Sequence, residues 1–142
     1  QERTGRQADQ VELADLSLLS QVNALSQRLL SADRPIDVLI NNAGALFNDY
    51  SQTSEGIETS AALLLLSPWR LTEALMPLLA DHKKSSRVIN VVSGGMYAER
   101  LNVKRLNVSS DGYRGARAYA PCKRALNTLT EIYQSILSKL LP

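Results

Sequence analysis

The sequence predicts an α/β fold built on a parallel sheet, because short apolar runs alternate with longer helical patterns along its 142 residues. Three of the runs have the length and composition of strands. Each is followed by a segment whose apolar residues recur at helical spacing. A chain of this length forms one domain, and 44% apolar with 21% charged residues is the composition of a globular protein.

The first part of the chain predicts two strands with a helix between them. Val11–Leu16 alternates apolar and polar residues, as a short strand does. Apolar residues at helical spacing predict a helix over about Leu18–Leu30, with Ser17 as its N-cap. Ile36–Ile40 is a compact apolar run that predicts a strand buried on both faces, and Asn41–Gly44 follows it as a turn.

A long helix is predicted next. Its apolar stripe opens at Ser54 or Glu55 and runs to about Leu79. The elements predicted after it are a polar turn, a second buried strand, a long connection without periodicity and a last helix, at Asp81–Ser86, Arg87–Val92, 96–117 and about Ala118–Leu140.

Charge and cysteine content exclude several classes of function. A net charge of +2 is too small to indicate nucleic acid or an anionic membrane as a partner. The single cysteine, Cys122, excludes an internal disulfide and a cysteine-rich metal site, so we expect no metal. No secretory signal is visible, and Ala61–Leu79 is interrupted by Arg70 and Glu73. We therefore expect no membrane span and a cytoplasmic location.

Candidate chemistry lies where polar segments follow the strands, because ligands of parallel sheets bind at the carboxyl ends of the strands. Tyr119 and Lys123 are four residues apart, on one face of the last helix. A lysine ammonium beside a phenol favours the phenolate, which can act as a general acid or base. Ser93, at the end of a strand, could hydrogen-bond the reacting oxygen. Each feature alone is commonly a turn or a surface pair, and it is their order that indicates a site.

These segments resemble the short-chain dehydrogenase/reductase family, in its retinol-dehydrogenase-like branch. Asn41-Asn42-Ala43-Gly44 matches the family's N-N-A-G motif, and Ile89-Asn90-Val91-Val92-Ser93 resembles its fifth strand with the catalytic serine. Tyr119–Lys123 matches the Y-x-x-x-K motif, and Asp15 resembles the acidic position after the third strand. The resemblance implies a partial Rossmann-type fold, which is a doubly wound parallel sheet in three layers.

The resemblance also implies an NAD(P)-dependent oxidoreductase that interconverts a small-molecule alcohol and a carbonyl by hydride transfer. Ser93, Tyr119 and Lys123 would be catalytic. Tyr119 would exchange the proton, Ser93 would position the substrate oxygen, and Lys123 would hold the nicotinamide ribose. The residues implied in binding NAD or NADP are Asp15, Asn41, Ala43, Gly44, Tyr119 and Lys123. A homodimer through the long helix and the Tyr–Lys helix is implied as well.

The chain departs from the family pattern in two segments and at one residue. Its 142 residues contain no T-G-x-x-x-G-x-G turn, which carries the cofactor pyrophosphate in the family. We therefore expect the chain alone not to bind a dinucleotide usefully. It also lacks the family's last strands, so we expect residues 1–142 to form a single truncated domain, from strand three to the Tyr–Lys helix.

The third departure is Leu64, which stands where the family has a catalytic asparagine. In the family, the backbone carbonyl of that asparagine holds a water that links the lysine to solvent. Pro68 has no N–H and cannot donate to the Leu64 carbonyl, so this carbonyl could still hold the water. Alternatively, Leu64 is a core leucine on a helix that merely bends at Pro68.

The departures affect the sheet and leave the function open. In the family's strand order, Val11–Leu16 would have no neighbour. Only Ile36–Ile40 and Arg87–Val92 would pair, with bare apolar faces. The chain is therefore a segment of an enzyme, a non-catalytic remnant that packs on a partner subunit, or a poorly folded chain without function.

Overall fold

Three helices and two parallel strands form the described part of the chain, which is residue 8 and residues 10–79, 86–106 and 108–140 of a computed structural model. Of the turn predicted at Asp81–Ser86, only Ser86 lies within these residues. The elements are α1 (Leu19–Ser31), β1 (Val38–Asn41), α2 (Thr59–Leu79), β2 (Arg87–Asn90) and α3 (Gly115–Leu140), with short 3₁₀ turns at Gly94–Ala98 and Val103–Arg105.

The helices cover one face of the sheet. β1 and β2 pair in parallel, as predicted. Leu39 and Val88 point to the covered face and pack against a core cluster from α1 and α2. Successive residues of a strand point to opposite faces, and on the other face Ile40 and Ile89 are 58% and 43% exposed. Burial on both faces is therefore wrong for these strands, and the described residues supply two of the three expected layers.

Val11–Leu16 is irregular, so the strand predicted there is wrong. A strand needs a hydrogen-bonded neighbour, and the sheet of the described residues consists of β1 and β2 alone. Val11 and Leu13 are 74% and 87% exposed. The segment is held against α1 instead, because Arg28 forms a salt bridge with Glu12 and donates to the Leu13 carbonyl.

The start of α1 is capped by a residue that is distant in sequence. Ser17 is not the cap, since it donates through its backbone and hydroxyl to the Asp15 carboxylate. The Glu55 carboxylate accepts the backbone N–H groups of Leu19 and Ser20, both at 2.8 Å. A negative charge at this end also complements the helix dipole.

α2 begins at Thr59 rather than at Ser54 or Glu55, because the chain first closes a turn. Gly56 has a φ of 75° in that turn, a conformation that favours glycine. Glu58 then caps the helix, and its carboxylate accepts two backbone N–H groups of the first turn, at 2.9 and 2.8 Å.

The strands are shorter than predicted and α3 is longer. β1 starts after Ile36, whose N–H donates to the Leu78 carbonyl at the end of α2. The ladder continues one residue beyond β2, because the Val91 N–H donates to the Asn41 carbonyl at 3.0 Å. α3 begins at Gly115, within the predicted connection.

Two apolar clusters fill the space between the helices and the sheet. One joins α1, the C-terminal half of α2 and the covered sheet face around Val22 and Leu75. The other joins the N-terminal half of α2 to α3 around Leu64 and Cys122. Burial raises the pKa of Cys122 to about 12, which keeps the thiol protonated and makes it a packing residue.

α2 is long and apolar enough to span a membrane by length and composition alone, with a mean hydropathy of 1.2 in its most apolar window. Half of that window is buried inside the fold. A core helix of a globular protein meets the same criteria, so α2 is weak evidence for a membrane span.

We expect Glu55→Gln to lower the melting temperature near neutral pH, because an amide offers one acceptor oxygen where the carboxylate offers two. The hydrogen bonds from Ser20 and Leu19 lower the pKa of Glu55 from its ordinary 4.5. The Glu55 carboxylate therefore stabilises the fold fully at a pH above the pKa that Glu55 has in the unfolded chain. This stabilisation is lost as the pH falls through the lower pKa of Glu55 in the folded chain. Thermal unfolding followed by circular dichroism from about pH 7 to 3 measures it.

Ser54→Ala, in the same exposed turn, is the control for this substitution. Equal melting temperatures for Glu55→Gln and the parent near neutral pH would contradict the role of Glu55 as the cap of α1.

Candidate active site

A hydrogen-bonded pair of amides, buried at Asn41 and half-buried at Asn90, joins the carboxyl ends of the two strands. Asn41 Nδ2 donates to Asn90 Oδ1 at 2.8 Å and to Thr72 Oγ1 at 3.0 Å. Asn90 Nδ2 donates in turn to Thr130 Oγ1 at 2.9 Å. These four side chains, here called the amide ladder, link α2, β1, β2 and α3 at the sheet edge that carries the predicted site.

The two threonines determine the direction of the amide ladder. Thr72 donates its hydroxyl proton to the Pro68 carbonyl at 2.7 Å, and Thr130 donates to the Leu126 carbonyl at 2.8 Å. A hydroxyl has one proton, so both threonine oxygens can only accept from the amides. The side-chain nitrogen of Asn41 is thus hydrogen-bonded within the fold. The predicted role of Asn41 in binding a cofactor stays a prediction and concerns the other atoms of this residue.

Lys123 is buried beside the end of β2. It is 3% exposed, and its Nζ donates to the Val91 carbonyl at 2.7 Å. The same Nζ lies 5.9 Å from the centre of the Tyr119 ring. Burial lowers the pKa of Lys123, because the ammonium loses hydration. The structure therefore brings together the two residues that the four-residue spacing pairs, and Val91 accounts for one of the three ammonium donors.

Gly44, Leu64 and Lys123 meet next to this ammonium. Leu64 is fully buried. A Cβ on Gly44 would lie 3.0 Å from Leu64 Cδ2 and 3.7 Å from Lys123 Nζ. The missing side chain therefore allows the turn after β1 to approach both helices closely.

α2 is distorted at Leu64. Ala62–Leu66 forms a π-helical turn, closed by the Ser67 N–H, which donates to the Ala62 carbonyl. Pro68 has no N–H, so the Leu64 carbonyl cannot receive the ordinary α-helical hydrogen bond. The helix is therefore not merely bent at Pro68, although the Leu64 side chain is a core residue.

Ser93 and Asp15 lie in different surroundings. Ser93 is half-buried after β2 and starts the 3₁₀ turn Gly94–Ala98, which packs against α3. This packing brings Ser93 and α3 to one edge of the sheet. Asp15 is exposed and closes the turn before α1, where hydrogen bonds from Ser17 lower the pKa of its carboxyl group. Its role near an adenine stays a prediction.

Several residues that shape the site were missed by the sequence reasoning. Asn90 carries a usable signal, because it is an amide inside an otherwise apolar strand. Val91 acts through its backbone, and the two threonines stand in helices without a distinguishing pattern; the missed residues are Thr72, Asn90, Val91 and Thr130. Within the described residues, no three His, Cys, Asp or Glu side chains cluster as a metal site would require.

Comparison with known proteins identifies the family. The family model described as short chain dehydrogenase matches residues 1–139. The chain belongs to the short-chain dehydrogenase/reductase family. It is 34% identical over 128 residues to Dehydrogenase/reductase SDR family member 12 of Bos taurus, which covers 90% of this chain and 40% of that protein. Retinol dehydrogenases are also among its relatives, as the resemblance predicts.

Solved structures confirm the partial Rossmann-type fold. An uncharacterized protein from Mycobacterium Paratuberculosis matches with a TM-score of 0.78 and 30% identity, over 92% of this chain and 46% of that one. The Pseudomonas aeruginosa RhlG/NADP active-site complex matches with a TM-score of 0.63 and 29% identity, over 89% and 46% of the two chains. This short-chain dehydrogenase/reductase chain therefore spans less than half the length of these relatives.

Family membership and the NADP complex support NAD or NADP as the cofactor, as predicted. The residues present fit the nicotinamide half of such a molecule. Gly44 presents backbone without a side chain, and Lys123 holds ammonium donors in a dry site beside Tyr119. The glycine-rich turn for the pyrophosphate is not among the 142 residues.

Proposed function

We propose that this chain carries the proton-transfer half of an NAD(P)-dependent oxidoreductase, which interconverts an alcohol and a carbonyl group on a small-molecule substrate. The observation that supports the proposal best is the buried Lys123 ammonium beside the Tyr119 ring. A buried cation is costly unless hydrogen bonds or a paired charge replace its hydration, and the Val91 carbonyl accepts from only one of its three donors.

Tyr119 is the acid–base group in this proposal. Its phenol donates a proton to the substrate oxygen when a carbonyl is reduced, and its phenolate takes that proton back when an alcohol is oxidised. Lys123 lies beside the phenol, with its Nζ 5.9 Å from the centre of the Tyr119 ring, and in the proposal it also holds the nicotinamide ribose. The nicotinamide, when bound, supplies or accepts the hydride.

Ser93 and Gly44 complete the site from the two strand ends. The Ser93 hydroxyl hydrogen-bonds the substrate oxygen and orients it toward Tyr119. Ala43 and Gly44 line the cofactor with small residues, so the turn after β1 can lie against it.

A homodimer through α2 and α3 is part of the proposal. Trp69 on α2 and Ile132 and Ile136 on α3 are exposed apolar side chains. Tyr133 donates to Glu73 at 2.6 Å and ties the two helices together near this surface. Exposed apolar side chains on two joined helices are suited to burial against a second copy.

The uncovered face of the sheet supports a second candidate, a non-catalytic remnant that packs on a partner subunit. Four apolar side chains are exposed there, and they are Val38, Ile40, Ile89 and Val91. This candidate predicts association without turnover, so the turnover experiment below separates it from the enzyme.

We expect Tyr119→Phe to lower kcat by about a hundredfold or more while the cofactor Kd stays within about twofold, because only the proton-transfer group is lost. Lys123→Ala should impair both, because Lys123 acts on the phenol and on the ribose. The measurement is steady-state turnover with NADH or NADPH, in a restored domain that joins these residues to the glycine-rich turn and remaining strands of a relative.

Tyr97→Phe is the matched control, since it removes the same hydroxyl group from a tyrosine that is 79% exposed. If Tyr119→Phe kept more than about a tenth of the parent rate, Tyr119 would not be the acid–base group.

Leu64→Asn tests how the proton reaches solvent. In the proposal, the Leu64 carbonyl, to which Pro68 cannot donate, holds a water that links Lys123 to solvent, so the asparagine side chain adds little. We expect a rate gain below about tenfold, which is about 1.4 kcal/mol of barrier. Leu65→Asn, at the next buried leucine, controls for burying an amide in the core. A gain of about a hundredfold would show that the side chain itself is required.

A further inference from the structure

Three segments that carry site residues meet at the hydroxyl of Tyr113. This oxygen lies 3.2 Å from Glu58 Oε1, 3.2 Å from Ser60 Oγ and 3.3 Å from the Phe47 carbonyl oxygen. Phe47 belongs to the loop after β1, Glu58 and Ser60 to the start of α2, and Tyr113 to the segment that enters α3. One hydroxyl therefore connects the backbones that lead to Gly44, Leu64 and Tyr119.

The Tyr113 hydroxyl can both donate and accept a hydrogen bond among these neighbours. The Tyr113 hydroxyl has two acceptors within reach, the Glu58 carboxyl group at 3.2 Å and the Phe47 carbonyl at 3.3 Å. The Ser60 hydroxyl can donate to the Tyr113 oxygen in return. Burial raises the pKa of Tyr113, so the hydroxyl keeps its proton at neutral pH. The Tyr50 and Tyr113 rings also pack edge to face, at 5.5 Å between centres and 76° between planes.

Glu58 is suited to hold this hydroxyl firmly. Only 3% of the residue is exposed. Its two oxygens also accept the backbone N–H groups of Ser60 and Ala61, at 2.9 and 2.8 Å. The carboxylate that receives Tyr113 is thus the cap of α2, six residues before Leu64.

The backbone next to Tyr113 is equally constrained. A Cβ on Gly115 would lie 2.2 Å from the Phe47 carbonyl oxygen, so only glycine lets α3 start against this loop. Tyr119 follows one helical turn later, about 6 Å along the axis. A helix is stiff over that distance, so a displacement at Gly115 is passed on to Tyr119.

We propose that the hydrogen-bonded pair of Glu58 and Tyr113, here called the latch, is a positioning element. It fixes the position of Tyr119 relative to the carboxyl ends of the two strands. The catalytic meaning of the latch rests on the proposed function. Its structural effect on Tyr119 can be measured in this chain by itself.

Tyr113→Phe tests the latch by removing one oxygen atom and keeping the ring that packs on Tyr50. Tyr133→Phe is the matched control, because it removes a phenol hydrogen bond that joins α3 to α2 at Glu73. The probe is the ζ-carbon resonance of Tyr119 in the ¹³C-tyrosine-labelled chain, which contains five tyrosines and is assigned with Tyr119→Phe. Amide hydrogen exchange over residues 118–123 is recorded on the same samples.

We expect Tyr113→Phe to shift the Tyr119 resonance and to accelerate exchange over residues 118–123 by about tenfold. Tyr133→Phe should leave both unchanged, and the resonance of exposed Tyr97 should stay constant in both variants. Ser60→Ala, a milder variant that removes one donor to the Tyr113 oxygen, should shift the Tyr119 resonance in the same direction. If neither Tyr113→Phe nor Ser60→Ala moves this resonance, or if Tyr133→Phe moves it as far, the latch is overturned.

Turnover in the restored domain separates the latch from the proposed function. If the latch positions Tyr119, Tyr113→Phe lowers kcat by about tenfold and leaves the cofactor KM within about twofold, and Glu58→Gln combined with it lowers kcat little further. An unchanged kcat in an active domain overturns the positioning role. A restored domain without any turnover contradicts the proposed function, while the Tyr119 resonance still decides whether the latch acts on this residue.

Discussion

The amide ladder is the interaction on which the arrangement of the site depends. A buried amide without partners costs about 1–3 kcal/mol, so the buried Asn41 favours the one register in which Asn90 faces it. A slip of one strand by one residue would turn the amide of that strand to the opposite face of the sheet, away from its partner. Gly44 and Ser93 each stand three residues beyond a ladder amide, and this register therefore brings them to the same edge.

The same ladder orients the two helices. Thr130 lies two α-helical turns after Lys123, so both point from one face of α3, toward Asn90 and the Val91 carbonyl respectively. Leu64 lies eight residues before Thr72, whereas two α-helical turns contain about seven residues. The extra residue of the π turn compensates for this difference and keeps both on the face that meets the strands. The distortion at Leu64 is thus also a requirement of the register between α2 and the sheet.

Local patterns were enough to predict much of the fold and part of the site. Periodicity located the three helices and both paired strands, and the four-residue spacing paired Tyr119 with Lys123. The errors lie where a distant residue decides the outcome. Glu55, and not Ser17, caps α1, and Val11–Leu16 stays irregular because no strand among the described residues lies beside it. The close contact of Gly44 with α2, and the latch, depend on segments far apart in sequence, and no local pattern encodes them.

The central claim is that the paired amides of Asn41 and Asn90 act as one unit that holds the strand ends together. A double-mutant cycle with Asn41→Ala, Asn90→Ala and both together, measured by urea unfolding, tests it most directly. The account predicts a coupling energy of about 0.5–3 kcal/mol, so that the double variant loses less stability than the two single losses added together. Additive losses would contradict the claim, because each amide would then act independently of the other.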